Sequence, residues 1–319
     1  MRSAVSEQVE SYIDYKRGLG VEMVSEASAL RQLARFAGEA GHEGPIDAGL
    51  AVSWATSGGG HDRAYECKRY ELARRVTDYR AALGAGEPRL APGLLGSASA
   101  RVTPYIYTDE EVSLLMRASA GLYSQDDPMR PPAMEVLVGL MRSTGVRPSE
   151  ALSMADSRFD GDAGTLTVVS GKGARDRLLP LDGGVVDAVR AYRELRDRQR
   201  TGRACDRLIV VRGDRPLSLG SAEGSFCEIR SVLLGRGELW QRRPPRLYDL
   251  RHTYAVRTLL RWHSEGRDVD AMLPALSTYM GHARLSDTYW YLTGTTELME
   301  VAARAFEEAA GRRGAWTGR

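Results

Sequence analysis

The chain has 319 residues, 43% of them hydrophobic, which is long for one domain and enough for two with ordinary cores. No apolar run spans a bilayer and no secretory segment follows Met1; Cys67, Cys205 and Cys227 are too few and too scattered for a disulfide framework or a CxxC zinc site. These features exclude a membrane or disulfide-stapled protein and predict a cytoplasmic chain with reduced thiols, no metal and no cofactor.

The net charge of +2 hides an uneven distribution, because residues 190–261 carry 17 arginines against 8 acidic residues. Such a stretch suits a polyanionic partner, although a solvated helix face has the same composition. Only Lys16, Lys68 and Lys172 among the 44 basic residues are lysine, so a lysine here reads as a chemical choice.

Residues 1–84 read as a four-helix domain. Val5, Val9, Tyr12 and Ile13 share one helical face, Leu30, Leu33, Ala34 and Ala37 another, and Leu50 with Trp54 mark a short third helix. A fourth carries Tyr65, Leu72, Val76, Tyr79 and Leu83. Residues 85–107, rich in glycine, proline, serine and alanine, read as a linker.

A second domain, 108–311, opens on the capping-box pattern Thr108-Asp109-Glu110-Glu111. Met134, Leu137, Val138 and Met141 form the next apolar face, with Gly145 as its C-cap. Residues 165–170 and 177–180 read as a hairpin with Lys172 near its tip, and residues 208–211 as a further strand. Helices are expected over 185–198, around Phe226 to Leu233, and from Asp249 through Leu260. Ser286 suits the N-cap of a helix through Tyr291, and Leu298 to Ala309 give a last amphipathic helix before a tail at 312–319. The expected fold is mainly α with a small antiparallel β-sheet, an α+β chain of two domains.

Six polar positions stand out, with Glu150 beside the first. Arg147 precedes Pro148, a residue suited to the first position of a helix, whose N–H groups favour an anion; Glu150 can brace it. Tyr248 and Arg251 lie one turn apart and can reach one phosphate. Lys172, flanked by glycines, can give up a proton as arginine cannot. His282 and Tyr291 lie nine residues apart across a helix start. Taken singly, each also reads as a surface charge, a partly buried aromatic or a turn residue. Together they supply what phosphodiester cleavage needs: two guanidiniums for the charge on the equatorial oxygens, a phenol nucleophile, an acid for the leaving 5′ hydroxyl, and a histidine for the phosphate or the phenol proton.

In order and spacing, TGVRPSE, GKGARDRLLPL, YDLRHTY and GHARLSDTYWY resemble the tyrosine recombinase (phage integrase) family. The resemblance covers nearly the whole chain. It implies catalytic roles for Arg147, Lys172, Arg251, His282 and Tyr291, with Glu150 in support. Tyr248 departs from the family's usual histidine; it can donate a hydrogen bond but cannot carry a positive charge.

The resemblance further implies a 3′-phosphotyrosyl intermediate formed without metal and a clamp around double-stranded DNA in the nucleoid. A homotetramer on synapsed sites is implied, monomeric or weakly associated when free, with partner recombinases an option. The last helix would pack on a neighbouring protomer. The short tail points to a simple or transposon-borne member. Two alternatives share the fold: a type IB topoisomerase-like enzyme, and a DNA-binding accessory or regulatory protein that no longer cleaves. At about 100° per residue, Tyr289 and Tyr291 point roughly 200° apart, and the nine-residue offset selects Tyr291. Tyr289 is then expected to pack under the helix, with Trp290 on a flank.

Overall fold

The computed structural model describes residues 3–60, 62–96, 103–122, 126–169, 176–200, 205–235 and 244–294, the side chains of 292–294 excepted. Lys172, the expected helix from Leu298 to Ala309 and the tail lie outside the described residues. The chain divides into two compact units, Met1–Val102 and Thr103–Arg319.

The first unit holds α1 (Ala4–Gly18), α2 (Val24–Glu39), α3 (Ala48–Thr56) and α4 (Arg63–Ala82). Ser3, Asp47 and Asp62 cap three of them by accepting hydrogen bonds from backbone N–H groups three residues on, which satisfies donors the helix leaves open. The stripes read from the sequence meet here: Val5, Val9, Ile13, Leu30, Leu33, Trp54 and Val76 are all buried. Tyr65 and Leu83, expected on the apolar face of α4, are exposed instead.

The stretch expected as a linker is divided between the units. Leu90 and Leu95 are buried in the first core, and Cys67 and Tyr70 donate to the carbonyls of Leu95 and Ala91. Tyr107 belongs to the second unit, where its N–H donates to Thr253 Oγ1 at 3.0 Å. Aperiodic chain can thus be anchored by single apolar side chains and backbone hydrogen bonds, neither of which has a helical repeat.

In the second unit, α5 (Asp109–Ala120) opens on the expected reciprocal capping box of Thr108 and Glu111. It packs on α6 (Arg130–Thr144), a buried helix carrying Met134, Leu137, Val138 and Met141 in the main core. After α7 (Pro148–Ser153), strands β1 (Phe159–Asp160), β2 (Thr165–Val168) and β3 (Arg177–Pro180) form an antiparallel sheet in that order, with Val168 opposite Arg177. Then come α8 (Gly183–Arg198), a second two-stranded sheet of β4 (Val210–Val211) and β5 (Arg215–Pro216), and α9 (Leu219–Gly235).

The unit closes with α10 (Asp249–Ser264), α11 (Val269–Met280) and α12 (Ser286–Gly294), which share a smaller apolar cluster of Ala255, Val256, Leu259, Leu273, Leu276, Met280 and Tyr291. Helix α11 has no counterpart in the sequence reading, because Pro274 interrupts its interior, where proline removes a backbone donor and normally signals a break. Ser286 is the first helical residue of α12, and the carbonyl of Leu285 accepts its first bond, from Tyr289 N–H at 3.0 Å. Among the described residues no helix is long and apolar enough to cross a membrane, and no group of three or more His, Cys, Asp or Glu could hold a metal ion.

Candidate active site

Two helix ends build the site. Helix α6 stops at Gly145 (φ +64°) and α11 at Gly281 (φ +66°), left-handed caps that glycine adopts without a Cβ penalty. The carbonyls at such ends lack helical partners and carry the negative pole of the helix dipole. Arginines take them. Arg251, 1% exposed on α10, donates from Nη1 to Gly145 O at 2.7 Å and from Nη2 to Met280 O at 2.6 Å. Arg147, the residue before α7, donates from Nη2 to Gly281 O at 2.6 Å.

The two cations differ in compensation. Burial works against the Arg147 cation, but the Glu150 carboxylate, bonded at 2.6 Å, holds its pKa above the ordinary value. Burial and then the charge of Arg147 depress Arg251, whose hydrogen-bond partners are neutral carbonyls. A buried guanidinium kept beside another cation favours an incoming anion, which would relieve both penalties.

Glu150 is itself shared. Its Oε2 accepts from Arg147 N–H at 3.0 Å and from Arg177 Nη2 at 2.9 Å, and these bonds hold its carboxylate below the usual range despite burial. Strand alternation explains Arg177: with Leu179 facing the core, Arg177 points inward as well and Leu178 outward. No motif of its own marks Arg177 in the sequence, although strand alternation with Leu179 places it on the inner face.

The phenol of Tyr291 is 2% exposed, and burial, partly countered by Arg251, pushes its pKa up to about 12. Its Oη lies 3.1 Å from His252 Nδ1. His252 sits among the rings of Tyr248, Trp290 and Tyr291, at centroid distances of 5.1, 5.7 and 5.5 Å. His282 turns a different way, with Nδ1 at 2.7 Å from Thr288 Oγ1 and its ring 6.0 Å from that of Tyr291. Burial lowers both imidazoles to about 4, with Arg251 and Arg147 adding to the effect at His282, so both rings are neutral at pH 7. Tyr248, 38% exposed, lies close enough to the Arg147 guanidinium for its phenol to favour that cation.

The structure therefore brings Arg147, Glu150, Tyr248, Arg251, His282 and Tyr291 into one cluster, while Lys172 lies outside the described residues. Tyr289 is 46% exposed rather than packed under α12, since Leu273, Leu276 and Met280 fill the space on the Tyr291 side. His252 was missed. Its signal was its place four residues after Tyr248, which puts both on one helix face.

The family model described as "Phage integrase family" matches residues 106–297. A Sinorhizobium fredii protein named as an integrase/recombinase, y4rB, is 31% identical over 310 residues, covering 96% of this chain and 98% of its own. The tyrosine recombinase XerC of Agrobacterium fabrum is 28% identical over 211 residues, 65% of this chain and 60% of its own. Among solved structures, the Tn1549 transposon integrase in complex with a circular intermediate DNA aligns with a TM-score of 0.68 at 15% identity, covering 93% of this chain and 99% of that one. The XerH recombinase bound to a palindromic difH substrate gives 0.62 at 18% identity, covering 94% and 84%. At these identities the structural likeness speaks for the fold.

Proposed function

The chain belongs to the phage integrase family and is a tyrosine recombinase; we propose that it cuts and rejoins duplex DNA through a 3′-phosphotyrosyl bond on Tyr291. The observation that carries this reading is the pair of guanidiniums, Arg147 and Arg251, held by carbonyls of two helix ends beside the Tyr291 phenol.

In this reading a phosphodiester enters between the two arginines, which neutralise the charge that gathers on its non-bridging oxygens. No divalent ion is required for that task. Tyr291 Oη attacks phosphorus, the bond to the 5′ oxygen breaks, and Lys172 protonates the departing oxygen. Tyr248 and His282 donate to the phosphate, and Glu150 keeps Arg147 in place. Rejoining reverses each step. Four protomers on two synapsed sites would exchange strands in turn, the helix expected from Leu298 to Ala309 reaching a neighbour.

A nicked suicide duplex, carrying a candidate site from the DNA flanking the gene, tests the reading. Wild type should accumulate a covalent protein–DNA adduct and Tyr291→Phe none. An adduct that persists in Tyr291→Phe sinks the nucleophile assignment; no adduct from wild type on any site favours a DNA-binding protein that does not cleave. Relaxation of supercoiled plasmid without exchange of sites would favour topoisomerase-like action.

A further inference from the structure

We infer that His252, through Nδ1, holds the Tyr291 hydroxyl and accepts its proton as the phenol attacks phosphorus. The inference rests on Tyr291 being the nucleophile, as proposed above.

The geometry carries it. Nδ1 lies 3.1 Å from Tyr291 Oη, within reach for direct proton transfer. The imidazole is wedged between Tyr248 at the start of α10 and Trp290 and Tyr291 on α12, so its plane is set by packing from two elements. His282 has its Nδ1 committed to Thr288, which leaves His252 as the imidazole facing the Tyr291 oxygen.

The protons balance. With Nε2 protonated and the Nδ1 lone pair free, the phenol O–H donates to Nδ1. As Oη bonds to phosphorus, its proton passes to Nδ1 and the ring becomes imidazolium. The electron pair of the breaking P–O bond leaves with the 5′ oxygen, which takes a proton from Lys172 in the reading above. On rejoining, the imidazolium returns its proton to the departing Oη. A neutral phenol and a neutral imidazole are the forms this step starts from, and burial keeps both neutral at pH 7.

Two replacements separate proton transfer from packing. His252→Phe keeps the ring stack without the nitrogen; His252→Asn puts an amide near Nδ1 that can hydrogen-bond but not take the proton. Adduct formation is timed on suicide duplexes with either oxygen or sulfur at the bridging 5′ position, since sulfur leaves without protonation. Both variants should slow cleavage by roughly 100-fold or more on either duplex, with DNA affinity and thermal unfolding near wild type. Wild-type rates in His252→Asn, or recovery with sulfur, would overturn the inference, the second by moving His252 to the leaving-group side. Loss of DNA binding in both variants would overturn it in favour of a structural role.

A readout independent of cleavage is the ¹³Cζ resonance of Tyr291, assigned by its disappearance in Tyr291→Phe. His252→Phe should shift it; an unmoved signal would overturn the hydrogen bond itself. Absence of any adduct in wild type, with the shift present, would instead count against the recombinase reading alone.

Discussion

Arg177 of β3 donates to Glu150 at 2.9 Å, on the carboxylate that also accepts from Arg147 at 2.6 Å. Strand β3 is thereby tied to the arginine expected to hold the phosphate. Glu150→Gln leaves two cations, one only 8% exposed, without their shared anion. Breaking a buried pair this way costs about 3 kcal/mol, which for a unit of this size lowers Tm by roughly 5–10 °C. Calorimetry of the variant checks it, and an unchanged Tm would mean that the bridge is solvated.

Gly281 has no room for a side chain. A Cβ there would sit 2.6 Å from Arg177 Cζ, in a backbone with φ +66°. Gly281→Ala should move either Arg177 or the carbonyl that receives Arg147, costing roughly 2–3 kcal/mol and most of the cleavage rate. Gly213 makes the comparison, since it shares a positive φ of +72° with no atom within 4 Å of its Cβ position. Gly213→Ala should lose only about 1 kcal/mol in urea unfolding, with cleavage intact. Equal effects would show that backbone strain, not contact with Arg177, decides.

Tyr248 stands where the family resemblance implies a histidine, with its phenol close to the Arg147 guanidinium. Tyr248→Phe removes the hydrogen bond proposed to reach the charged phosphate, so cleavage should slow roughly 10- to 100-fold with DNA affinity little changed. A wild-type rate would take Tyr248 out of the site.

Acid should weaken the fold before its carboxylates titrate. In the unfolded chain histidine protonates near pH 6.5, whereas burial holds His252 near 4 in the folded state. A depressed histidine contributes stability that is fully present above the unfolded value and is lost as pH falls from about 6.5 towards 4, up to about 3 kcal/mol for His252. His282 adds in the same direction. Urea midpoints from pH 7.5 to 4.5 should fall, and fall less steeply in His252→Asn; parallel profiles would contradict the burial account.

If the two guanidiniums supply the positive charge, adduct formation should continue in excess EDTA at near the untreated rate. A loss restored by Mg²⁺ would assign that charge to a metal.

Much of this molecule is legible in its residues because the signals are local. The capping box at Thr108 and Glu111, the glycine stop at Gly145, the hairpin strands and the apolar stripes of α1, α2 and α6 each depend on neighbours within a turn or two. Helix α11 escaped for a local reason too, a proline that here lies inside a helix held by the apolar cluster around Leu273 and Leu276.

By itself the sequence determined which chemical groups the site contains, their order, and that a phenol, two guanidiniums and a histidine are to meet. Only the tertiary structure decided what holds them. Arg251 reaches Gly145 across 106 positions and Arg147 reaches Gly281 across 134, and in both cases the acceptor is a backbone carbonyl, a group every residue carries and no letter distinguishes. The choice of His252 over His282 beside Tyr291 is of the same kind, since it depends on how α10 and α12 pack over a separation of 39 residues. Spacing along a chain reports which residues share a helix face; which faces meet follows from burial of the whole core.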